Sequence, residues 1–260
     1  MGKHLKILTA KYLQEYSDKV NVEWLEVFNN LRLRDKYASE DFKYKVMVSA
    51  AYSSNIEGNT IDSATYIKNK RMKIKGREDQ MNEIDDLASA YNFAIKNKLT
   101  KTNFLKSHYL SSSTILSNQS ERGRIRTRKM FIIDEIGRIE YVAASEHIVK
   151  KEFNKLFSDI RELLKRDLHY KEVFYYASLI HMKFEQIHPF MDGNGRTGRL
   201  LEKWFLSQKI GKNAWGIESE KYYYKNINDY YKNLQLGIEY SEVNMDKCLP
   251  FLLMLPSSLK

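Results

Sequence analysis

Cysteine, proline and long apolar runs are all scarce in this chain. Of its 260 residues only Cys248 is a cysteine, so no intrachain disulfide can form; a disulfide-free chain of this size fits a reducing compartment. The opening residues Met1-Gly2-Lys3-His4-Leu5-Lys6 lack the apolar stretch of a secretory signal. Lys6 stands where a myristoylation signal carries Ser or Thr. The longest apolar run, Leu249 to Leu255, is interrupted by Pro250 and falls far short of a membrane span. These absences predict a soluble, cytoplasmic protein with no membrane contact. Despite a net charge of +10, from 43 basic and 33 acidic residues, no block of five or six like charges occurs. The excess reads as a solvated, lysine-rich surface, and nucleic acid is not expected as a partner.

What is present points to a compact helical fold. With 43% hydrophobic residues the chain can bury a real core. All three prolines lie late, at Pro189, Pro250 and Pro256, which leaves a long stretch free of the strongest helix breaker. Apolar residues then recur at helical spacing. One stripe is Trp24, Leu25, Phe28 and Leu31; another is Ile84, Leu87, Ala88, Tyr91 and Ile95. Val149, Phe153, Leu156, Ile160 and Leu163 form a third, after an expected cap at Ser145. Val173, Ala177, Ile180, Phe184 and Ile187 run up to Pro189. Met130 to Ile133 and Arg138 to Val142 are β-prone runs around a turn at residues 134–137, which predicts a hairpin lying on the helices. The two ends, up to about Lys19 and from Pro256, look loosely specified. The fold class expected is mainly all-α, a helical bundle with one hairpin, in a single domain over 1–260.

The chemistry concentrates between Ile187 and Arg199. A helix must end before Pro189, and a second is expected from about Thr197, with Leu200, Leu201, Trp204 and Phe205 as its apolar face. Between them, Gly193-Asn194-Gly195 can take positive backbone dihedrals and form a concave anion-binding turn. The helix N-terminus adds partial positive charge, and Arg196 and Arg199 bring two guanidinium groups able to grip phosphate. His188 is a proton acceptor at near-neutral pH. Asp192 is a carboxylate beside phosphates, the ordinary setting for Mg²⁺. Phe190 is expected to turn inward and pin the loop. Singly, each residue has a structural reading as turn former, cap or surface charge; their joint occurrence in one window makes the segment specific.

His188, Phe190, Asp192, Gly193-Asn194-Gly195-Arg196 and Arg199 resemble, position for position, the signature of the Fic family. The resemblance implies a nucleotidyltransferase with a Fic-type helical bundle, ATP as substrate and Mg²⁺ as metal. By it, His188 deprotonates a target hydroxyl, Asp192 holds Mg²⁺, and the backbone of Gly193 to Gly195 with the Asn194 side chain receives the phosphates. Arg196 supports them and Arg199 meets the γ-phosphate. Gly123-Arg124-Ile125-Arg126 and the hairpin are similar to the family's flap, which aligns the target segment by strand addition. The helix carrying Tyr230 and Tyr231 is similar to the one that borders the adenine; Gly237-Ile238 stands where many relatives carry Ala-Asn.

A second segment, Tyr52 to Asn59, ends a helical stretch at Gly58. Ser53 and Glu57 are four residues apart on one helix face. A Ser, three free positions, Glu and Gly is similar to the family's inhibitory helix, whose glutamate pairs with the motif's second arginine, here Arg199. The implied protein carries its brake in residues 1–75 and its catalytic core in 76–255. AMP transfer to a Ser, Thr or Tyr of a target protein is the leading expectation. Removal of AMP, transfer of another phosphate-linked group, and a basic nucleic-acid-binding module are the competing ones. Oligomeric state stays open, a homodimer that controls the brake included.

Overall fold

The computed structural model describes residues 4–20, 38–72, 78–133 and 136–259. Among these the chain is helical apart from one hairpin, as the periodicity predicts. The stripe from Trp24 to Leu31, the turn residues Asp134 and Glu135, and the 75/76 boundary all lie outside the described residues.

A short helix α1 (Leu13–Lys19) precedes α2 (Ala38–Ile56), α3 (Ser63–Met72), α4 (Glu78–Lys96) and α5 (Lys101–Ser111). The hairpin pairs β1 (Phe131–Ile133) with β2 (Ile139–Val142) in antiparallel register, Phe131 opposite Val142 and Ile133 opposite Ile139. A bulge between Ile132 and Ile133 sharpens its twist. Then come α6 (Val149–Leu163), α7 (Tyr170–Ile187), α8 (Asn194–Ile210), α9 (Ser219–Lys225) and α10 (Ile227–Leu234). Two single-turn helices, α11 (Leu249–Leu252) and α12 (Met254–Ser257), close the described chain.

The pair α7 and α8 forms the spine, and its contact is the most extensive among the described elements. α7 is apolar on nearly every face, from Val173 to Ile187, so it is surrounded by other elements instead of lying on a surface. The predicted stripes of α4, α6 and α7 are buried, with only Ile95 partly exposed. Leu200, Leu201, Trp204 and Phe205 of α8 are fully buried as well.

Three local expectations are corrected. The side chain of Ser145 does not cap α6; its carbonyl accepts from Ile148 and Val149, and Ile148 occupies the cap position. α8 begins at Asn194, three residues before the expected Thr197, because Gly193 takes the left-handed cap position (φ 77°). The described residues near the chain ends are not loose. The buried Asp159 carboxylate accepts backbone N–H groups of Lys6, Ile7 and Leu8 at 2.8–3.0 Å, and Leu5, Leu8, Tyr16, Leu255 and Leu259 are buried in the core.

Candidate active site

The chain reverses between α7 and α8 at His188, and the reversal is strained. His188 is left-handed (φ 48°, ψ 64°), the one non-glycine residue with positive φ among the described residues. Pro189 disfavours the right-handed helical geometry for its predecessor, and holding His188 in the left-handed well requires support from elsewhere. Arg126 supplies it. This buried arginine contacts three successive carbonyls: its Nη2 lies 3.4 Å from Ile187 O, its Nε donates to His188 O at 2.8 Å, and its backbone N–H donates to Pro189 O at 2.9 Å.

The loop is stapled internally too. Asn194 Oδ1 accepts the Phe190 N–H and its Nδ2 donates to Phe190 O, both at 2.9 Å. The buried Asn194 side chain therefore braces the loop and does not face a phosphate, a correction to its expected role. Phe190 turns inward as expected, fully buried and stacked on His108 at 3.6 Å between ring centroids. His108 Nδ1 accepts from Gly123 N–H at 2.8 Å. Its proton therefore sits on Nε2, which donates to Asp192 O at 2.9 Å. Burial pushes His108 down to about 4, so it remains neutral in this role.

Of the glycine triplet only Gly193 uses a positive φ. Asn194 and Gly195 are the first residues of α8, so the segment expected to take an anion is a helix N-terminus and not an extended glycine nest. Gly195 serves a different need: a Cβ there would collide with the Glu57 carboxylate. Asp192 is half exposed at this helix end, its Oδ1 accepting from Gly193 N–H at 2.5 Å and 3.5 Å from Arg196 Nη2. Arg196 is buried, with Nη1 3.5 Å from Glu83 and an unpartnered Nε.

Arg199 is fully buried at the back of the site. Its Nε donates to Ser53 Oγ at 2.9 Å, and Nη2 donates to Ser53 O at 2.8 Å and to Glu57 Oε1 at 2.7 Å. Nη1 donates to Tyr230 OH at 3.2 Å. The two sequence segments singled out above, 142 residues apart at the Glu57–Arg199 contact, thus meet. α2 ends in a Schellman turn: Gly58 (φ 93°) and Asn59 return their N–H groups to Asn55 and Ser54. That turn leaves Glu57 just past the last helical residue, Ile56, with its carboxylate toward Arg199. Burial alone would raise the Glu57 pKa; the charges of Arg199 and Arg196 and the hydrogen bond from Arg199 hold it below its ordinary value.

Glu57, His188, Gly195, Arg199 and Tyr231 line one cavity of about 510 Å³, bounded on another side by the hairpin. Burial, aided by Arg126, pushes His188 down to about 4, against the raising influence of the Glu185 carbonyl and Glu57. Its Nδ1 lies 3.3 Å from Glu185 O; donation there leaves Nε2 as the proton acceptor. The tyrosines divide. Tyr231 is exposed and donates to Ile56 O at 2.9 Å, which ties α10 to the end of α2. Tyr230 also lines the cavity, but it is almost wholly buried, bonded to Arg199 and 3.1 Å from His181 Nε2, so it supports the guanidinium from within the wall. Sequence reasoning missed His108, Glu185 and the clamping role of Arg126. The spacing of Glu185, one helical turn before His188, was the one available signal.

Residues 98–206 match a family model described as Fic/DOC family. Among curated proteins, the chain is 30% identical over 162 residues to the protein adenylyltransferase Fic of Nematostella vectensis, covering 58% of this chain and 35% of that protein. It is 29% identical over 157 residues to the protein of the same name from Aedes aegypti, covering 58% and 30%. The chain thus spans about a third of the length of these relatives. Among solved structures, a Fic family protein from Desulfovibrio desulfuricans superposes with TM-score 0.78 at 19% identity, covering 99% of this chain and 75% of that one. A Fic domain-containing signalling protein from Bacteroides thetaiotaomicron gives TM-score 0.69 at 18% identity, covering 92% and 91%. The matched segment, which contains Arg126, His188, Asp192 and Arg199, marks residues 98–206 as a Fic/DOC domain, and the chain shares the fold of the solved Fic proteins.

Proposed function

We propose that the protein transfers AMP from ATP to a Ser, Thr or Tyr hydroxyl of a target protein, and that Glu57 restrains it from within the same chain. The observation that carries this reading is the meeting of His188, the α8 N-terminus, Arg199 and Glu57 around one cavity. The adenylyltransferase names of the relatives support it.

In this reading the backbone N–H groups opening α8 receive the phosphates, and Arg196 adds positive charge behind them. The exposed ring of Tyr231 borders the base. Hydrophobic residues left exposed on the hairpin, Phe131, Ile133 and Ile139, receive an extended target segment. Nε2 of His188 takes the hydroxyl proton as the oxygen attacks the α-phosphorus; the new P–O bond forms and pyrophosphate leaves. No group of three or more acidic, His or Cys side chains poised for a metal occurs among the described residues. Asp192, half exposed at the helix end, fits a Mg²⁺ held by one carboxylate together with the nucleotide. That ion would supply charge neutralisation for the phosphates. While Glu57 occupies Arg199, the γ-phosphate lacks its partner and the α-phosphorus is not aligned. Residues up to 75 then carry the brake, and 76–255 the catalytic core.

Mass spectrometry of the protein and of a cell lysate, after incubation with ATP and Mg²⁺, tests the reading. AMP attached to protein side chains is expected. Transfer of a different phosphate-linked group, or loss of AMP from a modified protein, assigns the site to another reaction.

A further inference from the structure

Glu185 lies one turn before His188 on α7 and lines the same cavity. Its Oε1 is buried without a hydrogen-bond partner, and its Oε2 stands 3.8 Å from Nδ1 of His188. The room it occupies exists because residue 198 has no side chain: a Cβ on Gly198 would collide with Oε1. The chargeable groups facing it are Glu57 at the end of α2, Arg199 on α8, Tyr230 and Tyr231 on α10, and His188 on its own helix. Two carboxyl groups therefore surround one guanidinium, and only Glu57 is hydrogen-bonded to it. Like charges so placed oppose each other's ionisation.

We propose that Glu185 is a positioning residue for His188 whose charge the brake controls. With Glu57 seated on Arg199, the Glu185 carboxyl stays neutral. Once Glu57 leaves, Glu185 loses its proton to solvent through the cavity and stands as an anion beside Nδ1. The inference rests on the transferase reading. It accounts for a difficulty in that reading: a buried imidazole pushed down to about 4 is neutral but a weak base. A carboxylate beside Nδ1 stabilises the imidazolium formed when Nε2 accepts the target's proton, the role an acid performs behind a histidine in hydrolytic triads. Glu185 forms no bond and transfers no proton to the substrate. Burial, reinforced by the charge of Glu57 against that of Arg199, holds Glu185 up at about 8 in the restrained state, consistent with the geometry.

Two measurements test it. Carboxyl ¹³C NMR of the full chain, with Glu185→Gln for assignment, should show Glu185 titrating near pH 8. Glu57→Gln should lower that midpoint by about one pH unit or more. A midpoint in the ordinary glutamate range, or one indifferent to Glu57→Gln, overturns the charge coupling whether or not any transfer is detected, which separates this inference from the transferase reading. In a Glu57→Gly background, Glu185→Gln should lower kcat about 10- to 100-fold with KM for ATP nearly unchanged. It should also abolish the rise of kcat with pH through the Glu185 midpoint. An unchanged kcat, or a loss confined to KM, overturns the role at His188.

Discussion

Replacing Glu57 by Gly tests the proposed brake most directly. Glu57 closes α2 and its side chain is 28% exposed, so its removal takes nothing from the hydrophobic core. The interaction lost is one charge-assisted hydrogen bond, Arg199 Nη2 to Glu57 Oε1 at 2.7 Å. Such bonds contribute about 1.5–3 kcal/mol, and each 1.36 kcal/mol is a factor of ten in rate. Because the pairing is intramolecular, ATP must displace it at high effective concentration. Transfer should therefore rise roughly 10- to 150-fold on mutation. The assay is the initial rate of label incorporation from α-³²P-ATP with Mg²⁺, into the protein itself or a lysate. The Glu57→Gly/His188→Ala double mutant should stay silent, which ties any gain to the same active site. A single mutant that is folded, binds ATP and is no faster than the parent refutes the brake. If it instead loses an AMP-removing activity present in the parent, Glu57 serves hydrolysis.

Three other outcomes follow from the same geometry. His188→Ala in the Glu57→Gly background should lower transfer by about 10²–10⁴-fold while ATP binding by calorimetry persists; an equal rate would remove His188 from the chemistry. Asp192→Ala should abolish the Mg²⁺ dependence of productive nucleotide binding with little change in melting temperature, because the side chain is half exposed; a strongly destabilised protein would show a structural role instead. The folded-state pKa of Glu57 is depressed. Its pairing therefore contributes stability that is fully present above the unfolded carboxylate value and is lost only as pH falls through the folded value. Below the range in which Glu185 titrates, the difference in melting temperature between parent and Glu57→Gln should thus hold steady from about pH 5.5 to 6 and shrink as pH falls further; a difference absent at pH 6 would contradict the pairing.

The parts of the site readable in sequence are those with local conformational demands. Pro189 announced the end of α7, Gly58 the end of α2, and the 3.6-residue recurrence of Val173, Ala177, Ile180, Phe184 and Ile187 the buried spine. The roles of Asn194, Gly195, Arg126 and Tyr230 depend on distant partners, and there local reasoning failed. Asn194 reads as a phosphate ligand until Phe190 is seen to meet both ends of its amide. Gly195 reads as a turn residue until Glu57 is found where its side chain would be. Arg126 lies 62 residues from the His188 carbonyl it holds, and nothing in the spacing reveals that contact. Tyr230 and Tyr231 are neighbours in sequence and their rings meet edge to face at 5.3 Å, yet Tyr230 is buried beneath Arg199 while Tyr231 is exposed and bonded to Ile56 O.

The contacts of Arg199 would let the proposed brake be released without dismantling the site. Of its contacts, only the one to Glu57 involves an opposite charge. Ser53 Oγ and Ser53 O accept two others, and Tyr230 OH accepts a fourth. Since Tyr230 OH accepts from Arg199, its own proton goes to His181 Nε2; His181 Nδ1–H then donates to the buried Glu202 carboxylate at 2.9 Å. Tyr223 donates to the same carboxylate at 3.0 Å. This chain of satisfied buried groups fixes the guanidinium from behind, while Ser53 fixes it from the side. Removing Glu57 leaves both supports in place, so Arg199 stays aimed at the cavity with one donor free for another anion. Ser53 and Glu57, adjacent turns of one helix, thus do different work: the serine holds the arginine, and the glutamate occupies it.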